Sequence, residues 1–116
     1  WDDGLKGGER MQAILNCFTR MRFVDKKTAE LDFKQKEDIG SAPKHLIPWF
    51  EYSKRPMAGT PICFGHWSML GLIRRDDIVA IDTGCLWGGK LTAVRFPDRR
   101  IYQEDCPCWA DPFKYK

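Results

Sequence analysis

Apolar residues recur at helical spacing near the start of the chain and at strand spacing through much of the rest. From Glu9 to Phe18 the positions Met11, Ile14, Leu15 and Phe18 fall at i, i+3, i+4 and i+7, which predicts a helix whose apolar face packs on a sheet. Thr19 to Val24 then alternates. Read as a strand, it sets Thr19, Met21 and Phe23 on one face and Arg20 with Arg22 on the other. Leu31-Asp32-Phe33 returns with the same period after the polar stretch Asp25 to Glu30, so Arg22 to Phe33 is predicted as a β-hairpin with a six-residue connection. Lys34 to Pro43 reads as a charged, exposed linker. His45 reads as a surface residue, and Pro48 at a first helical position predicts a short helix carrying Trp49 and Phe50 as core or lid.

The second half of the sequence is built from short apolar runs broken by glycine-rich turns. Pro61-Ile62-Cys63-Phe64 ends in Gly65-His66-Trp67, and Ile78-Val79-Ala80-Ile81 ends in the polar run Asp82 to Gly89. Leu91 to Arg95 follows, and Asp98-Arg99-Arg100 turns it back into Ile101-Tyr102-Gln103 as a closing hairpin. The residues beyond, 105–116, are expected to lie over the surface as a tail. Predicted strands outnumber helices, which points to an α/β or α+β architecture with a mixed or antiparallel sheet in this half.

Composition narrows the classes. A chain of 116 residues with 43% hydrophobic content is one small domain's worth, able to bury a core. No apolar run approaches the ~20 residues needed to cross a bilayer, so no membrane association and a cytoplasmic location are expected. The net charge of +3 admits anionic ligands without the concentrated basic patch that nucleic-acid binders show. Five cysteines, an odd number without framework spacing, predict reduced thiols and no disulfide scaffold. Cys106 and Cys108 with Cys85 and His66 lack the second closely spaced ligand pair of structural zinc sites, so no zinc site is expected.

Candidate chemistry gathers where the strands end. His66 directly follows a glycine, where backbone can approach a ligand closely, and Asp82 opens the next turn. Asp82 has two readings: orienting the imidazole from behind, or capping its own turn. Gly84, Gly88 and Gly89 permit positive φ there. Trp67 and Trp87 flank the turns, either to stack on a flat group or to pack. Arg20 and Arg22, about 7 Å apart on a strand face, read either as a clamp for phosphate oxygens or as a solvated face.

Taken together, Asn16 to Phe23, Pro48-Trp49-Phe50, Phe64-Gly65-His66-Trp67 and Ala80 to Thr92 resemble the carboxy-terminal half of bacterial symmetrical diadenosine tetraphosphatases, within the calcineurin-like metallophosphoesterases. The resemblance runs in order along nearly the whole chain, with 105–116 divergent. It implies that 1–116 is half of a four-layer α-β-β-α sandwich with two divalent metal ions, manganese or cobalt. It also implies hydrolysis of diadenosine tetraphosphate to two ADP. His66 matches a metal-ligating histidine; Arg20 and Arg22 become phosphate ligands, Asp82 a support for the imidazole, and Trp67 and Trp87 neighbours of the substrate.

The family's Gly-Asp-x-His and Gly-Asn-His motifs are absent, and the chain has only His45 and His66. A missing amino-terminal half or a partner chain is therefore expected to complete the site, and the 116 residues alone are expected to be inactive and to self-associate. A different class of function, a non-catalytic module that keeps the sheet edge for docking phosphate or protein, also fits the missing ligands.

Overall fold

The computed structural model describes residues 2–36, 38–111, 113 and 114. They form two compact units, Trp1–Ala58 and Gly59–Lys116. The first opens with helix α1, Gly7–Arg20. Glu9 in its first turn and Arg20 in its last complement the helix dipole, and the Met21 N–H closes it on the Cys17 carbonyl. The helix runs two residues further than the periodicity predicts. Thr19, read above as a strand residue, turns its hydroxyl back onto the Leu15 carbonyl at 2.5 Å, which lets a β-branched residue sit in the last turn. Arg20 therefore ends a helix while Arg22 lies in the extended link after it, and the two do not share a strand face.

The predicted burial of the α1 apolar face is also corrected. None of the helix's residues is buried, because spacing tells that a helix has an apolar side but not which element covers it.

Strands β1 (Phe23–Asp25), β2 (Leu31–Asp32) and β3 (Leu46–Pro48) make an antiparallel sheet ordered β2-β1-β3. The expected hairpin is present, with Phe23 opposite Asp32 and Val24 opposite Leu31. Its connection is held by Asp25, whose Oδ1 accepts from the N–H groups of Lys27 at 2.8 Å and Thr28 at 3.0 Å. Those bonds keep the Asp25 carboxyl below its ordinary pKa. Central placement leaves Phe23 fully buried, packed with Val24, Trp49 and Phe50 in the core of this unit. Pro48 closes β3 and leads into a 3-10 turn at Trp49–Glu51. His45 is exposed.

In the second unit β4 (Ile62–Phe64), β5 (Ile73–Arg74) and β6 (Ile78–Ala80) form a mixed sheet ordered β4-β6-β5, with β4 and β6 parallel. All of β6 is buried, as its unbroken apolar run implies for a strand covered on both faces. Strands β7 (Asp82–Thr83), β8 (Lys90–Arg95) and β9 (Arg100–Asp105) form an antiparallel sheet, with the predicted hairpin running from Lys90 opposite Asp105 to Arg95 opposite Arg100. The fold is thus a small mixed α/β arrangement with one α-helix among the described residues and three sheets. No helix among the described residues is long and apolar enough to cross a membrane.

Candidate functional site at the ends of two parallel strands

Parallel pairing fixes what stands side by side. Phe64 is opposite Ala80, and the Ile81 N–H donates to the Phe64 carbonyl at 3.0 Å. Both strands therefore stop at one level. His66, two residues past Phe64, and Asp82, two past Ala80, leave the sheet as neighbours. A Cβ placed on Gly65 would lie 4.0 Å from the Asp82 Cβ, so the two turns run in contact.

His66 is exposed and sits at φ 74°, a left-handed conformation that costs a non-glycine residue roughly 1–2 kcal/mol. The core alternative for this histidine is thereby removed, and the residue lies at the surface. Trp67, immediately after it, is 2% exposed. It is a core residue of the unit, and that burial leaves it next to no ring surface for a substrate. Trp87 is half-buried.

Asp82 is half-buried, and its Oδ1 accepts from the Gly84 N–H at 3.1 Å. The capping interaction is thus present at that oxygen. Behind it runs a set of hydrogen bonds with no signature in the sequence pattern. Gln103 Nε2 donates to Thr92 Oγ1 at 3.1 Å, Thr92 and Thr83 share a 2.5 Å contact between hydroxyls, and Thr83 Oγ1 donates to the Lys90 carbonyl at 2.5 Å. With Thr83 spending its proton on the carbonyl, the shared contact takes its proton from Thr92. Thr92 is 7% exposed, the buried polar residue of this core, and the chain of donors satisfies it across β7, β8 and β9.

The turn from Gly84 to Gly89 is wound on itself. Gly84 and Gly88 take φ 75° and 86°, and the Gly84 carbonyl accepts from both Trp87 and Gly89 N–H groups at 2.9 Å. Gly89 is close-packed against backbone, since an added Cβ would stand 2.2 Å from the Thr83 carbonyl oxygen.

The expectation for the cysteines fails here. Cys85 and Cys106 are joined as a disulfide with their Cα atoms 5.2 Å apart, not held as reduced thiols. The register is the cause. Lys90 opposite Asp105 brings the end of β9 to the start of β8, where the Cys106 N–H donates to the Gly89 carbonyl at 3.0 Å. The following residues are also bound: Trp109 and Ala110 N–H groups both donate to the Leu86 carbonyl at 3.1 Å, and Trp87 bridges to Cys108. Counting cysteines reads parity; it does not read register.

In the first unit Arg20 is exposed and Arg22 half-buried. Burial first, and then the Arg20 charge, lower the Arg22 pKa from the ordinary guanidinium range, so the two cations act on one another although they share no strand.

Comparison with known proteins shows what the chain is similar to. No family model matches the chain. The symmetrical bis(5'-nucleosyl)-tetraphosphatase of Chromobacterium violaceum is 46% identical over 111 residues, covering 96% of this chain and 40% of that protein. The protein of the same name from Dechloromonas aromatica is 45% identical over 115 residues, covering 98% and 41%. The chain is similar to the carboxy-terminal part of symmetrical bis(5'-nucleosyl)-tetraphosphatases. It spans about two fifths of the length of these curated relatives, somewhat less than the half that the resemblance implies. A crystal structure assigned to a diadenosine tetraphosphatase superposes with a TM-score of 0.55 at 23% identity, over 75% of this chain and 36% of that one, which supports the fold.

The tetraphosphatase resemblance implies metal ions, and the donors present can be tested against that. Among the described residues no group of three or more His, Cys, Asp or Glu side chains is placed to hold one. One exposed imidazole beside one half-buried carboxylate is a fraction of a divalent-metal site. The residues in hand do not make a metal centre by themselves.

Proposed function

We propose that this chain is the carboxy-terminal part of a metal-dependent hydrolase that cleaves diadenosine tetraphosphate symmetrically to two ADP. The observation that carries the reading is identity of 41–46% to tetraphosphatases over nearly all of the chain. The paired strand ends support it, because they offer an accessible imidazole at a sheet edge, the usual position for binding groups in such folds. In the complete protein these sheets form half of a four-layer sandwich. His66 gives a nitrogen to the site, and Asp82, whose other oxygen is not used by the Gly84 cap, helps hold the imidazole in place. The remaining ligands come from polypeptide outside these 116 residues, which alone are inactive.

Arg20 and Arg22 bind phosphate oxygens in this reading. Arg22, half-buried and lowered in pKa first by burial and then by the Arg20 charge, gains from an anion that neutralises the pair. Replacing Arg20 with Ala should then remove a charge-assisted contact worth about 1.5–3 kcal/mol in kcat/KM, with a smaller effect at Arg22.

The test is release of ADP from diadenosine tetraphosphate by the full-length protein, with manganese and with chelator. Manganese-dependent production of two ADP is expected. ATP and AMP as products, or no turnover at all, would reject the reading; the second outcome would favour a non-catalytic module that keeps the exposed His66 edge for docking.

A further inference from the structure

Helix α1 carries an apolar stripe that its own unit leaves open. Met11, Leu15 and Phe18 stand at i, i+4 and i+7 and are 59%, 55% and 75% exposed. Ile14 and Cys17, around the helix from them, are half-buried. The helix therefore rests on the chain by one side and turns its largest side chains away from it. Large apolar residues at this spacing are how a helix seats against another element, and a contiguous exposed patch marks a contact surface.

We propose that the stripe is the seat of the tetraphosphatase polypeptide that these 116 residues do not include. The Chromobacterium relative is matched over 40% of its length, which leaves about three fifths of such a protein outside this structure, ample to supply a covering element. This rests on the reading above that the missing part exists and completes the site. A covalently linked segment also has the advantage over a second copy of the chain. Its effective concentration reaches the order of millimolar for a short connection, so it occupies the stripe before association between molecules can. The stripe is then an internal interface that joins the two parts of the enzyme.

Peptide-resolved maleimide labelling of the full-length protein tests this, with Leu15→Cys and Phe18→Cys read against Glu9→Cys. Glu9 is exposed on the opposite side of the helix, and the native thiols are followed on their own peptides. Leu15→Cys and Phe18→Cys should label at least about tenfold more slowly than Glu9→Cys, as protected sites do, independently of protein concentration. Equal rates at all three would overturn the proposal and leave the stripe in solvent. Protection that disappears on dilution would overturn it in favour of a second copy. The labelling does not depend on turnover, so an inactive protein with a protected stripe would reject the proposed chemistry and keep the interface.

Discussion

The turns after β4 and after β6 leave neighbouring parallel strands at one level, yet they are built in opposite ways. The first is three residues long, and its histidine is exposed in a left-handed conformation. The second is wound on the Gly84 carbonyl, backed by the Thr83, Thr92 and Gln103 side chains, and pinned to the chain's end by a disulfide and several backbone bonds. One turn holds a non-glycine residue at positive φ; the other is closed by backbone hydrogen bonds and a disulfide. Local strain persists only where surrounding structure over-determines it, and the braced turn runs beside the Gly65 end of the His66 turn.

The difference is open to attack from both sides. Replacing His66 in the full-length protein should have the largest effect, and on activity alone. His66→Ala is expected to lower kcat/KM by more than about a hundredfold, the upper end of what a supporting residue gives, while the melting temperature hardly moves. His66→Gly should be as inactive yet up to about 1 kcal/mol more stable, because glycine accepts positive φ without a Cβ penalty. An unchanged activity in both would make the exposed ring incidental.

The braced turn should respond in stability. Replacing Cys85 and Cys106 together with Ser removes a crosslink spanning 21 residues, with an expected cost of about 3 kcal/mol by denaturant titration under oxidising conditions. Gly89→Ala forces a Cβ onto the Thr83 carbonyl oxygen at 2.2 Å and should cost about 2–3 kcal/mol; a neutral result would mean that the turn is looser than its hydrogen bonds indicate. Thr92→Val breaks the hydroxyl chain while nearly keeping shape, and about 1–2 kcal/mol is expected, with faster amide exchange at Gly84 and Gly89.

Much of the strand order was legible because it rests on local signals. The runs at Ile62, Ile78 and Leu91, the hairpin closed by Asp25 and the glycines with positive φ follow from apolar runs and turn chemistry that each segment carries within itself. The boundary of α1 was misread because Thr19-Arg20-Met21-Arg22 satisfies a period of two as well as a helix does. A hydrogen bond to the carbonyl four residues back decided between them. At the site, His66 and Asp82 could be picked out by their glycine neighbours, but the braces behind Asp82 could not. Thr83, Thr92, Gln103 and Cys106 are ordinary residues until strand register sets them together.

By itself, then, the sequence determined the local periods, the turn residues, the candidate residues at the two strand ends and the resemblance to the tetraphosphatases. Tertiary structure alone decided that β4 and β6 run parallel with Phe64 opposite Ala80, that Cys85 meets Cys106, that Trp67 is core while His66 is exposed, and that the apolar stripe of α1 faces outward. The reason is that pairing and burial depend on residues far apart in the chain: a one-residue change of register would leave every local pattern intact and separate every one of these partners.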